Sequence, residues 1–230
     1  MLALIPLRKG SKRIKNKNIK EMLGQPLFYY VLEEAVKSGV FDKIVVSTDS
    51  LVVDYLVNLR FNVDVHIRPK ELGADETTTE DVMLDVAKHY DFDSICTIQA
   101  TSPTTTARDF IKAKEIYEKE LYDSLLTVVE TSRLFWFENQ VGEGQPLNYD
   151  PQTRKRSQEF KSNILMESGN FYMTERDLLM KEKCRLGGYI GFYKMTQDNR
   201  YEIDTLEDWE EVEKILKRRV KNERMFALRT

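Results

Sequence analysis

Leu2-Ala3-Leu4-Ile5-Pro6 is a short apolar run with no polar alternation. A strand reads this way when both of its faces are buried, as they are inside a parallel sheet. Comparable runs recur at Lys43 to Asp49, Val63 to Ile67, Ser94 to Gln99 and Ser124 to Val129. Between them, Pro26 to Ser38, Leu51 to Leu59, Val82 to His89 and Phe110 to Glu118 carry apolar residues at helical spacing. This alternation predicts an α/β fold, a mostly parallel sheet with helices on both faces. In such a fold ligands settle outside the carboxyl ends of the strands. The loops after Leu7, Asp49 and Gln99 are therefore where chemistry is expected.

The rhythm stops between Thr131 and Met166, where Gly142-Glu143-Gly144-Gln145-Pro146 marks a turn and aromatic residues mix with charge. The expectation is one domain over 1–230 with an arm inserted at about 131–166. Phe135-Trp136-Phe137 in that arm suits a cover over a substrate or a second subunit, or burial in the chain's own core. Regular structure is expected again at Gly169 to Met173 and Tyr189 to Met195. A last helix is expected from near Asp204, with Leu206, Trp209, Val212, Leu216 and Val220 on one apolar stripe.

With 230 residues, 41% of them hydrophobic, the chain can bury a core of ordinary size. Its 35 Lys and Arg face 38 Asp and Glu, a formal net charge of -3. No global basic field exists to hold nucleic acid, so any bound anion must meet a local cluster. The longest apolar run, Leu2 to Leu7, falls far short of the roughly 20 residues that a membrane span needs. No basic-then-apolar leader precedes it, and a cytoplasmic location without membrane attachment is expected. Cys96 and Cys184 form neither a CxxC nor a zinc-spaced cluster, which predicts reduced, buried thiols. His66 and His89 have no apparent ligand partners and read as structural.

The first apolar run leads into Arg8-Lys9-Gly10-Ser11-Lys12-Arg13-Ile14-Lys15-Asn16-Lys17-Asn18, with six cations and no carboxylate. A glycine-bearing loop at a strand's carboxyl end can turn backbone N–H groups on a polyphosphate while nearby cations neutralise it. The spacing is neither that of a Walker loop nor that of a dinucleotide fingerprint. A charge run is often only a solvated face, but this one's place after the first buried strand favours a binding role.

Glu202-Ile203-Asp204 sets two carboxylates at i and i+2, which in an extended segment leave from the same face. Such a pair can hold Mg²⁺, a cation that also takes phosphate oxygens. Helix capping competes for this segment, through Asp204 with Glu207 or Thr205 with Asp208, but capping does not explain Glu202. Gln99-Ala100-Thr101-Ser102 ends another buried strand with an amide and two hydroxyls suited to a base or a sugar. Thr77-Thr78-Thr79 and Thr106 with Asp109 equally suit helix starts.

Taken together, IPLRKGSKRIKNKNI at 5–19, IVVSTDS at 44–50, RPKELGADETTTEDV at 68–82, IQATSP at 98–103, SGNFYMT at 168–174 and EIDTLEDW at 202–209 resemble the CMP-sialic acid synthetase (acylneuraminate cytidylyltransferase) family. The resemblance implies a Rossmann-like fold, a homodimer exchanging the inserted arm, and a Mg²⁺-dependent reaction. In that reaction CTP and a nine-carbon 2-keto acid sugar give the CMP-sugar and pyrophosphate. It implies that Arg8, Ser11, Lys12, Lys17 and Asn18 line the nucleotide, with Arg8, Lys12 and Lys17 serving catalysis. Thr79 and Gln99 then lie near nucleotide and sugar, and Thr101 and Tyr172 in the sugar pocket. Arg156 reaches a partner's site, and Glu202 and Asp204 bind metal.

The chain departs from the family pattern at Glu202, where Asp is usual, at Ser168 and Ala100, and at Arg185-Leu186, where aromatics are common. N-acetylneuraminic, legionaminic and pseudaminic acids all stand as acceptors. The competing readings are a 3-deoxy-octulosonate or sugar-1-phosphate nucleotidyltransferase, and a non-catalytic nucleotide-binding homologue.

Overall fold

A computed structural model describes residues 1–154 and 164–227. The chain opens with β1 (Leu2–Leu7), the small hairpin β2 (Glu21–Met22) and β3 (Gln25–Pro26), and helix α1 (Leu27–Ser38). Then follow β4 (Lys43–Thr48), α2 (Leu51–Arg60), β5 (Asp64–Ile67), α3 (Thr79–His89), β6 (Ser94–Ile98) and α4 (Ala107–Lys119). The second half holds β7 (Ser124–Glu130), the arm hairpin β8 (Trp136–Glu138) and β9 (Gly144–Pro146), β10 (Leu165–Glu175), α5 (Arg176–Glu182), β11 (Ile190–Lys194) and α6 (Leu206–Ala227).

Seven strands form one sheet in the order β11-β7-β10-β6-β1-β4-β5. All pairings are parallel except those of β10, which runs antiparallel to both β6 and β7. From β1 the chain winds outward through β4 and β5, then returns to pair β6 on the other side of β1. That reversal opens a crevice at the carboxyl ends of β1 and β6, which are followed by Arg8 and Gln99.

Burial explains why β1 lacks alternation. Ala3, Ile5 and Leu7 pack on one face of the sheet with Phe28, Val53 and Phe110 of α1, α2 and α4. Leu2 and Leu4 pack on the other with Val82, Met83 and Val86 of α3. Each such buried aliphatic side chain is worth ~2 kcal/mol, more than the ~1 kcal/mol that separates good from poor strand formers. A third cluster joins Ile14 of the basic loop, Met22 and Leu27 to Ile203, Trp209, Val212 and Leu216. The last helix is thereby packed against the first loop.

Several expectations need correcting in detail. Helix α3 starts at Thr79 rather than Val82, because Thr78 is its cap and shares a capping box with Asp81. β10 runs from Leu165 to Glu175, longer at both ends than the expected Gly169 to Met173, and its antiparallel run carries a register shift between Glu167 and Tyr172. Leu206 and Val220, the ends of the expected apolar stripe, are exposed, and Ile215 is buried instead. Cys96 is a buried free thiol, whereas Cys184 is only half-buried. In the arm, Phe135, Trp136 and Phe137 are exposed rather than packed in the core.

Candidate functional site

A cavity of about 580 Å³ opens at the crevice between β1 and β6. Its walls include Arg8, Ser11, Lys12, Lys17 and Asn18 of the basic loop, Thr79 at the start of α3, Gln99 and Thr101 after β6, and Glu202 and Asp204 before α6. Ten of the positions singled out from sequence thus meet at one place. Tyr172 is not in its wall. It lies buried on β10, its hydroxyl donating to Glu167 and Arg185 stacked 4.6 Å over its ring. Arg156 falls outside the described residues.

The basic loop is held by carboxylates that its own sequence lacks. Asp49, after β4, accepts from the Lys9 backbone N–H at 2.7 Å. Asp75 takes Arg8 Nη1 at 2.6 Å on one oxygen and Lys12 Nζ at 2.7 Å on the other. Those two cations hold the Asp75 carboxyl below its usual range, and Asp75 in turn raises the Lys12 ammonium. Asp75 occupies these cations as an anion would, so a phosphate arriving at Arg8 and Lys12 must displace it. Asn18 donates to the Arg8 carbonyl at 3.1 Å, closing the loop on itself.

At the other wall, the Ile203 N–H donates to the Thr101 carbonyl at 2.9 Å, and Thr101 Oγ1 donates to Glu202 at 3.0 Å. This straps the 202–204 segment to the loop after β6. Helix capping belongs to Thr205 and Asp208: Thr205 Oγ1 accepts from the Asp208 N–H, while Asp208 accepts from the N–H groups of Asp204 and Thr205. Asp204 is therefore free of capping duty. Its carboxylate meets Arg13 at 2.8 Å and Lys17 at 3.3 Å, and Lys17 also donates to the Ile203 carbonyl at 2.6 Å.

Glu202 opens toward the cavity, yet protein crowds its other sides, and this raises its carboxyl above the ordinary range. The Thr101 hydrogen bond opposes that rise, and the Asp204 charge adds to it. Gly169 permits the approach. It sits at φ +66°, and a Cβ there would lie 2.9 Å from Glu202 Oε2.

Two oxygen-donor carboxylates on one short extended segment, beside a cationic loop, fit a hard cation such as Mg²⁺ better than a soft one.

Arg13, one of the loop's six cations, also lines the cavity, as do Arg68 and Asp75, which sequence reasoning missed. Arg68 is buried, with its Nε unpartnered among the described residues and Asp49 at 3.9 Å. Burial lowers its pKa from the usual guanidinium value, and Asp49 opposes that. Arg68 and Asp75 fall inside the stretch 68–82, but nothing in that stretch signals that they face the loop at 8–18.

Comparisons with known proteins bear on the family and the fold. A family model described as cytidylyltransferase matches residues 2–228. N-acylneuraminate cytidylyltransferase A of Danio rerio is 36% identical over 211 residues, which cover 90% of this chain and 48% of that protein. Pseudaminic acid cytidylyltransferase of Campylobacter jejuni is 28% identical over 224 residues, covering 91% of this chain and 93% of that one. The chain spans about half the length of the N-acylneuraminate relatives it matches. A solved CMP:2-keto-3-deoxy-manno-octonic acid synthetase complexed with CTP superposes with a TM-score of 0.72 at 18% identity, covering 95% of this chain and 98% of that one, a likeness of fold. With the family match running almost end to end and the fold agreeing, this chain belongs to the cytidylyltransferase family.

Proposed function

We propose that this protein transfers the cytidylyl group of CTP to a nine-carbon 2-keto acid sugar of the N-acetylneuraminic, legionaminic or pseudaminic type. The supporting observation is that the cationic loop at 8–18 and the carboxylates Glu202 and Asp204 face one cavity at the topological switch of the sheet. The names of the similar proteins, N-acylneuraminate and pseudaminic acid cytidylyltransferase, support the sugar class.

In the reaction the anomeric hydroxyl oxygen bonds to the α-phosphorus and gives up its proton. The bond from that phosphorus to the bridging oxygen breaks, and pyrophosphate leaves with the electron pair. Arg8 and Lys12, released from Asp75, bind the phosphates and stabilise the negative charge that grows on the leaving group. Ser11 and Asn18 complete the loop around the nucleotide, and Gln99 and Thr79 offer hydrogen bonds to base and sugar. Lys17 positions Asp204 through the Ile203 carbonyl and the carboxylate itself. Glu202 and Asp204 would hold Mg²⁺, whose charge neutralises phosphate oxygens. Arg185, stacked on Tyr172 and paired with Glu80 at 3.1 Å, sets a cation on the side expected to take the acidic sugar. Exchange of the arm across a homodimer, bringing Arg156 to the neighbouring site, belongs to the same reading.

Pyrophosphate release tests it, measured with each of the four ribonucleoside triphosphates against a panel of nonulosonic acids, 3-deoxy-octulosonate and sugar-1-phosphates. CTP with one nonulosonic acid should exceed every other pair by at least tenfold in kcat/KM. Turnover of 3-deoxy-octulosonate or a sugar-1-phosphate above all nonulosonic acids would sink the substrate class, and silence with every pair would favour a non-catalytic homologue.

A further inference from the structure

On the sheet's outer edge, away from the basic loop, His66 of β5 meets Asp85 and His89 of α3, and one donor atom from each lies within 4.8 Å of the others. Read from sequence, these histidines have no ligand partner, because Asp85 and His89 share a face only once α3 forms, at i and i+4. Strand β5 then brings His66 across to them.

Three observations point to a ligand. His66 Nε2 and Asp85 Oδ2 stand 3.5 Å apart, close to the roughly 3.3 Å between neighbouring donors on a tetrahedral zinc with the usual bond lengths. Asp85 is buried, and that same Oδ2 has no hydrogen-bond partner among the described residues. On the far side of the ring, His66 Nδ1 lies 3.1 Å from Ser47 Oγ, the kind of outer contact that orients a metal-binding imidazole.

Three other cations lie nearby: buried Arg68, whose charge is felt by both His66 and Asp85, and two lysines. Lys88 approaches the opposite oxygen, Asp85 Oδ1, at 3.3 Å, while Lys43 is paired with Asp64 at 2.9 Å. His89 is exposed and lies over the His66 ring at 5.0 Å between centroids, where its side chain is free to turn toward the other two donors.

We propose that His66, Asp85 and His89 bind one late first-row divalent cation, with zinc the representative, clipping edge strand β5 to helix α3. Two imidazoles and one carboxylate suit such a metal, and the exposed side leaves a fourth position for water. The clip lies behind the wall of the cavity: Arg68 follows His66 by two residues, and Thr79 begins the same helix. Its role is to stiffen that wall.

Chelator-stripped protein titrated with Co²⁺ provides the test. One equivalent should produce visible ligand-field bands of tetrahedral intensity that Zn²⁺ displaces. Zinc at about 100 times its Kd should raise Tm by roughly 5–10 °C. His89→Ala, at an exposed position, should leave the fold intact while weakening Co²⁺ binding at this site by at least roughly tenfold, and Asp85→Asn should do the same. Asp204→Asn should leave the bands unchanged, which separates this site from the proposed catalytic cation. Absence of the bands, or bands that survive His89→Ala, or bands lost in Asp204→Asn, would overturn the proposal.

Discussion

Asp204 shows how a single carboxylate changes meaning between chain and fold. In sequence it competes for the role of helix cap, whereas in the structure Thr205 and Asp208 cap α6 and Asp204 faces Arg13 and Lys17. Those partly exposed ion pairs are worth ~0–1 kcal/mol, so Asp204→Asn should fold with nearly unchanged Tm. If the carboxylate binds the catalytic cation, the same variant should lose roughly tenfold or more in turnover and need more Mg²⁺. Wild-type turnover at limiting Mg²⁺ would return Asp204 to a structural role. Gly169 offers a second probe of this wall. Gly169→Ala forces a side chain to φ +66° and sets its Cβ 2.9 Å from Glu202. The strain should cost about 1–2 kcal/mol in denaturant unfolding, and the displaced carboxylate should raise the Mg²⁺ requirement as Asp204→Asn does. Activity that holds while stability falls would mean the exact seat of Glu202 is unimportant. The pair Glu202 and Asp204 was legible because i, i+2 spacing in an extended segment needs no tertiary knowledge. Arg68 and Asp75 were not, because their meeting with the loop depends on where β5 and the turn after it lie.

At the scale of elements, capping boxes decide where helices begin. α3 opens on Thr78, whose side chain accepts from the Asp81 N–H at 3.1 Å while Asp81 accepts from the Thr78 N–H at 2.8 Å. Thr78→Ala should therefore lower stability by ~1 kcal/mol. The Thr78 hydroxyl and N–H also hold the Asp81 carboxyl below its ordinary range. A carboxyl depressed by folding stabilises above its unfolded pKa and loses that contribution as pH falls through its folded pKa. The stability gap between wild type and Asp81→Asn should thus be constant at neutral pH and close in strong acid, below the usual carboxylate range. Chemical denaturation at several pH values measures it, and a gap that persists below pH ~3 would show that the box does not depend on charge. The Thr-x-x-Asp pattern at Thr106 was readable in the chain, since both partners lie within one helical turn, whereas three adjacent threonines leave the cap of α3 open, with its start expected at Val82. The antiparallel course of β10 was not readable, for its apolar run reads the same in either direction.

For the whole molecule, the proposed reading has the arm exchanged across a homodimer. If the arm carries Arg156 into a neighbouring subunit, Lys12→Ala and Arg156→Ala chains, each inactive alone, should recover roughly a quarter of wild-type activity when mixed, since half the dimers would be mixed and each would hold one intact site. No recovery from a confirmed dimer, or an active monomer by light scattering, would refute arm exchange. The alternation of buried strands and amphipathic helices determined the α/β class and the place of the candidate site at strand ends, and composition alone marked the cationic loop, because each rests on local pattern and chain order. The tertiary structure decided which anions hold that loop, which residue caps α6, and that His66, Asp85 and His89 share one corner. Those are contacts between segments far apart in the chain, and their distances are set by sheet order and helix packing, which no local pattern encodes.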